Sequence, residues 1–385
     1  MRIVVVGSGR SVHTMARSAA VAARGHAVRL VTAGPAGEAR GVEVRTRPVP
    51  TALTAPFAAI GFLRDIRSFR PDVLHLHYAG GKLGTLALLS GVHPLVVTVM
   101  GGDVLPEQHL GGLSPWELRT TRRVLREADV ILAKSDALRP AIRALGGAED
   151  KIEVVRWGVD SAVFRRDEAR GARLRVDLGL AAGDRVILSP RILAPLYNTH
   201  LLVEAMPAVL ARVPQAVLLL TEYGADPAYR AAVSASAGRL LGDRVRLIGR
   251  RPHEEMPALY SLAEAVVSVP SSDGLPQSLF ETMACGTPAV LGRLPAYGEV
   301  VRDGESALLV AIEAPAIAAV LARLLEDRAL AQRLAGTALQ EVRRSAVLPR
   351  EAARVEALYE RARSRPARRS ARLPRAVDAL SLLWR

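Results

Sequence analysis

The chain has 385 residues, more than one ordinary hydrophobic core can organise, so two domains are expected. Half of the residues are hydrophobic, yet no apolar run reaches the ~18 residues of a membrane span, and the single cysteine, Cys285, excludes both a disulfide framework and a cysteine metal site. The net charge of +14 does not read as nucleic-acid binding: nearly all cations are Arg, aromatic residues make up only 4%, and half of the excess falls within Arg361–Arg385.

The chain begins directly as a strand, Arg2-Ile3-Val4-Val5-Val6, with no secretory pattern, so a cytoplasmic location is expected. Gly7-Ser8-Gly9-Arg10 follows, then a helix over Val12–Ala23 and a strand over Ala27–Thr32. Such a start also suits a dinucleotide oxidoreductase. Val12 stands at the third fingerprint glycine, however, and no acid follows the second strand to hold a ribose. Phe57–Phe69 reads as a helix, Val73–Tyr78 as a strand, Gly80–Leu89 as a helix and Leu95–Val99 as a strand. The turn Met100-Gly101-Gly102-Asp103 precedes a helix at Trp116–Ala128, a strand at Val130–Ala133 and a helix over 135–145 capped by Ser135. Ile152–Val155 leads to Trp157-Gly158-Val159-Asp160, and the polar stretch Arg165–Gly183 reads as a crossing between domains.

A second series of alternating elements comprises Arg185–Ser189, Leu201–Leu210, Ala216–Thr221, Val245–Ile248, Met256–Leu262 and Ala265–Val269. Alternation of this kind predicts parallel sheets, one per domain. After Pro270 a polar turn enters a helix near Gln277–Ser278, with Leu279, Thr282 and Met283 on one face and Gly286 at its end. The N-terminus of that helix is a ready anion site. Asp273 and Glu281 flank it with seven residues between them, which suits a phosphate ester carrying hydroxyls on both sides better than a bare phosphate. Further helices are expected at Ala314–Leu325, Ala329–Arg343 and Glu351–Arg363.

The stretch Ser271–Val290 resembles the E-x7-E segment of the retaining GT-B glycosyltransferases, the class called family 4 or glycosyl transferases group 1, and the similarity extends to about residue 350. One departure is Asp273 in place of the first Glu. The resemblance implies two Rossmann-like doubly wound α/β domains facing across a cleft. These would be an acceptor-side domain at 1–168, a nucleotide-sugar domain at 169–348, a helix crossing back at 349–364 and a basic tail at 365–385. It implies transfer of a hexosyl-type sugar from a nucleoside diphosphate, UDP or GDP, to a sugar, polyol or lipid-linked acceptor. Configuration is retained, and the leaving phosphate itself takes the acceptor proton. No metal and no cofactor is implied, the nucleotide-sugar being a substrate.

Carried onto these positions, Glu281 would bind the ribose, Asp273 the donor sugar with Gly274, Leu275, Pro276 and Gln277 nearby, and the N–H groups of Ser278 and Leu279 the diphosphate. Arg191 would face the donor phosphates. The lysine usual a few residues later is replaced by Leu196-Tyr197-Asn198, leaving Tyr197 and Asn198 as neutral donors and Arg250 or Arg251 as substitute cations. Ser8 and Gly9 would meet the β-phosphate, or serve only tight packing. Asp103 would contact acceptor or sugar, and His13 and His77 would line the acceptor side, with a purely structural histidine as the alternative. The missing lysine keeps a noncatalytic nucleotide-sugar binder open as a second reading. In the tail, Arg361–Arg375 beside the apolar Ala376–Trp384 reads either as a peripheral anchor at the inner membrane face or as a solvated linker with a docked final turn.

Overall fold

A computed structural model describes residues 1–48, 55–108, 112–222 and 224–364. The tail expectation therefore lies outside the described residues. Continuous Val/Ile/Leu runs form parallel strands buried on both faces, and the intervening helices cover them. Two compact units result, Met1–Trp157 with the chain from Leu348, and Gly158–Val347.

The first unit contains β1 (Arg2–Val6), α1 (Val12–Ala22), β2 (Ala27–Ala33), β3 (Val42–Arg47), α2 (Ala55–Ser68), β4 (Val73–His77), α3 (Gly81–Ser90), β5 (Leu95–Thr98), α4 (Pro115–Glu127), β6 (Val130–Ala133), α5 (Arg139–Ala144) and β7 (Ile152–Val154). Among the described residues its parallel sheet has the order β3-β2-β1-β4-β5-β6-β7. The second unit contains α6 (Glu168–Asp177), β8 (Arg185–Ser189), α7 (Thr199–Arg212), β9 (Ala216–Leu220), α8 (Pro227–Leu241), β10 (Val245–Leu247), α9 (Met256–Leu262), β11 (Ala265–Ser268), α10 (Gln277–Ala284), β12 (Ala289–Gly292), α11 (Pro295–Gly298), β13 (Leu308–Val310), α12 (Ala314–Glu326) and α13 (Arg328–Ser345). Its parallel sheet has the order β10-β9-β8-β11-β12-β13. The last helix, α14 (Leu348–Ser364), belongs to the first unit and buries Ala352, Val355, Leu358, Tyr359 and Ala362 against it.

Four expectations need correction. The division falls after Trp157, ahead of the expected 168/169, because Trp157 is buried in the first unit's core beside Val355 and Tyr359. Within the stretch read as a crossing, 168–177 is α6, whose Gly171 lies against α9 with room for no more than a small side chain. Ser135 does not cap α5: it precedes a 3-10 turn at Asp136–Leu138, and its side chain makes no cap bond. Finally β3, α8, β12, α11 and β13 are additional elements; β3 and α8 carry few buried side chains, and the other three are only three or four residues long.

Gly158, the first residue of the second unit, has φ of 58°, and a Cβ there would lie 2.4 Å from the Ala346 carbonyl carbon and oxygen. Val159 donates to that same carbonyl at 3.0 Å. Gly158→Ala is therefore expected to destabilise the protein by about 2–4 kcal/mol, strain and overpacking combined. A midpoint unchanged in thermal or urea denaturation would refute it.

Candidate functional site

In a doubly wound sheet the chain leaves in opposite directions on either side of one strand pair, and a crevice opens at the carboxyl ends there. In the second unit that pair is β8 and β11, which are hydrogen-bonded neighbours. Arg191 follows β8 by one residue after Ser189-Pro190, and the loop to α10 follows β11. Leu275 in this loop is fully buried with φ of 80°, a strained conformation for a residue with a Cβ, and Pro276 precedes the first turn of α10. Local geometry is thus held by packing rather than by side-chain caps.

Arg191 and Asp273 form one ion pair, Nη2 to Oδ2 at 2.7 Å, with side chains only 10% and 8% exposed. Ser278 Oγ accepts from Arg191 Nη1 at 3.3 Å, and the Tyr297 hydroxyl donates to Asp273 Oδ2 at 3.1 Å. The Arg191 guanidinium lies 4.5 Å from the Tyr197 ring centroid. Burial opposes the charge on Arg191, but Asp273 outweighs it and holds the guanidinium protonated. The two groups that the resemblance assigns to phosphate and to sugar are therefore ion-paired with each other. Tyr197 stacks under Arg191, and Asn198, at φ of 50°, ties the strand loops together by donating to Val269 O and Ser271 Oγ, both at 2.9 Å.

Glu281 is 4% exposed, and both its oxygens are engaged. His253 Nε2 lies 3.0 Å from Oε1, and the Tyr260 hydroxyl donates to Oε2 at 2.9 Å. Burial draws His253 down, but the bond and charge of Glu281, with Glu254 adding, lift it above the ordinary imidazole value. Phe164 packs on the same ring, centroids 5.1 Å apart. His253→Gln should therefore destabilise most below pH ~6.5, where the imidazolium–carboxylate bond is fully present, and less as pH rises through the raised folded value. Melting both proteins across pH tests this; a penalty independent of pH would mean the pair is neutral throughout.

Gln277 donates through Nε2 to the Gly158 carbonyl, and Leu279 is buried beneath α10. Arg250 is exposed at the carboxyl end of β10, two strands from β8, and Arg251 is drawn to Ile248 O and Glu255. Burial pushes the Cys285 thiol up to about 12, so it is unreactive near neutral pH. A groove of about 990 Å³ lined by Arg185, Glu264, Cys285 and Arg328 opens at the amino ends of β8 and β11, the wrong end of a parallel sheet for this chemistry.

In the first unit Asp103 is fully buried, its oxygens accepting from the N–H groups of Ala79 (2.7 Å), Met100 (2.9 Å) and Gly101 (3.0 Å). Burial lifts it above the usual carboxylate range against those bonds. It braces a turn and is not a contacting carboxylate, which corrects the expectation. Gly9 is likewise committed: its N–H donates to Thr32 Oγ1 at 2.8 Å, its carbonyl accepts from Gly37, and a Cβ would sit 2.4 Å from that of Ala36. Tight packing accounts for this glycine, while Ser8 is exposed. His13 is half-buried on α1, and His77 is 2% exposed at the end of β4.

His253, Tyr260 and Tyr297 escaped the sequence reading. The signal for the tyrosines is weak: a tyrosine in an otherwise apolar buried run needs a partner for its hydroxyl.

Residues 172–340 match the family model for glycosyl transferases group 1, and residues 5–163 that for Glycosyltransferase Family 4. The D-inositol 3-phosphate glycosyltransferase of Acidothermus cellulolyticus is 30% identical over 291 residues, covering 71% of this chain and 63% of that protein. D-inositol 3-phosphate glycosyltransferase 1 of Catenulispora acidiphila is 30% identical over 333 residues, covering 82% and 76%. The chain thus spans less than two thirds of the first relative's length and about three quarters of the second's. Anabaena Alr3699/HepE, solved with UDP and glucose, matches with a TM-score of 0.81 at 18% identity, covering 94% of this chain and 100% of that one; the likeness concerns the fold.

Proposed function

The chain belongs to the family 4 glycosyltransferases, with their two α/β units of the GT-B fold, and on that premise we propose that it transfers a hexosyl-type sugar from a nucleoside-diphosphate sugar to an acceptor hydroxyl with retention. One observation supports the reading most: Arg191, Asp273, Ser278 and Glu281 come together at the carboxyl end of the β8/β11 pair, beside the N-terminus of α10.

In this reading the diphosphate lies against the first turn of α10 and Arg191. Bonds to Asp273 and Ser278 occupy two of the five guanidinium donors, leaving others for phosphate oxygens. Charge on the leaving diphosphate grows as the glycosidic bond breaks, so donors fixed in advance stabilise the transition state more than the ground state. The same leaving phosphate takes the acceptor proton, and no resident metal or cofactor is assigned. Glu281, held by His253 and Tyr260, keeps lone pairs for ribose hydroxyls. In this reading the acceptor is a sugar, polyol or lipid-linked hydroxyl and the reaction is cytoplasmic.

Thermal shift with UDP-, GDP- and ADP-sugars, followed by product detection with the donor that binds, tests this. A ligand at 100 times its dissociation constant stabilises by ~2.7 kcal/mol. Stabilisation without turnover on any acceptor would favour the noncatalytic binder.

A further inference from the structure

Arg17 lies outside everything described so far. It is on α1 and 3% exposed, and burial draws it down only to about 9, so it remains a cation at neutral pH. Among the described residues it has no carboxylate partner. Nη1 meets Met100 Sδ at 3.2 Å, and the guanidinium carbon lies 5.1 Å from the Trp157 ring centroid. A thioether is a weak acceptor, and one cation–π contact does not offset the cost of burying an ion. Two further polar atoms nearby have no partner, His77 Nε2 and Trp157 Nε1. The His77 and Trp157 rings are 6.1 Å apart. His77 Nδ1 faces Thr14 Oγ1 at 3.4 Å, and a hydroxyl donating there leaves the imidazole proton on Nε2. Among the described residues the cluster thus sets three donor groups, Arg17, His77 Nε2 and Trp157 Nε1, against one weak acceptor, the Met100 thioether.

Its position is independent of that chemistry. In the first sheet the direction of winding reverses between β1 and β4, so the crevice opens at their carboxyl ends. His77 ends β4, Met100 lies just beyond β5, and Thr14 and Arg17 lie on the helix that follows β1.

We propose that Arg17, with His77 beside it, receives an oxyanion, phosphate or carboxylate, borne by the acceptor substrate, in a site of the first unit distinct from Arg191. The word acceptor rests on the transfer reading; the oxyanion site does not.

Thermal denaturation of the full chain, in inorganic phosphate against chloride at matched ionic strength and with UDP saturating the second unit, tests it. Phosphate should raise the wild-type midpoint, and a hexose monophosphate should raise it more. In Arg17→Met both shifts should vanish, with apparent affinity down roughly 10- to 100-fold, while the UDP shift persists. Without phosphate that variant should be as stable as wild type or more so, since an apolar side chain replaces an unpaired buried charge. Arg17→Lys should keep part of the response, and Arg17→Gln serves as the neutral variant if the methionine form does not fold. A phosphate shift retained in both neutral variants overturns the proposal. So does an equal loss of the UDP shift, which would assign Arg17 to the donor's diphosphate. Equal shifts from phosphate and hexose phosphate would remove the acceptor from it. If UDP shifts no variant the transfer reading fails, and the phosphate comparison still decides Arg17.

Discussion

Glu281→Ala is expected to weaken donor binding and remove nearly all transfer, a loss of about 2–4 kcal/mol in transition-state terms. The carboxylate is bonded to His253 and Tyr260 at once, at 3.0 and 2.9 Å. Alanine would delete the acceptor proposed for two ribose hydroxyls and would also take the acceptor from His253 and from the hydroxyl of the fully buried Tyr260. Part of the loss will therefore appear as instability, which must be measured separately. Glu281→Gln separates the two effects. The amide keeps the shape and one acceptor oxygen, so the protein should fold, yet it offers no charge to the ribose. Donor affinity unchanged in folded Glu281→Gln would remove the nucleotide from this position.

Most strands of the two sheets were legible because parallel strands buried on both faces are unbroken apolar runs, as in Ile3–Val6 or Ala265–Val269. The elements that escaped lack that signature or are too short to show it: β12 and β13 span only four and three residues. β3 is an edge strand in which only Val42 and Val44 are apolar, and α8 buries only Val233, Ala237 and Leu241 of an Ala-rich segment. Among the site residues, spacing put Asp273 and Glu281 beside one helix start, and the family resemblance added Arg191. Spacing carried no information on pairing, because whether two charges meet depends on rotamers and on Tyr297, twenty-four residues beyond Asp273. Asp103 misled for a related reason: a carboxylate next to two glycines looks available, and only the fold reveals three backbone donors closing on it. Arg17 gave no sign because an arginine on an amphipathic helix is ordinarily solvated.

Arg191→Ala should lower stability by about 3–5 kcal/mol and depress turnover more than donor affinity. The stability loss follows from Asp273, whose side chain is 8% exposed and would keep only neutral donors such as the Tyr297 hydroxyl. The kinetic loss follows from a different cause, the missing charge opposite the leaving diphosphate. The double variant Arg191→Met/Asp273→Leu tells these apart. With both charges replaced by apolar side chains of similar volume, no ion is left buried alone, and stability should return close to wild type. Turnover should not return, because nothing in the double variant meets the growing negative charge. A double variant that regains both stability and turnover would make the pair a structural clasp, and the diphosphate would have to be held elsewhere. If instead Arg191→Ala loses donor affinity in full with turnover intact, the guanidinium binds the ground state and contributes nothing further as the bond breaks.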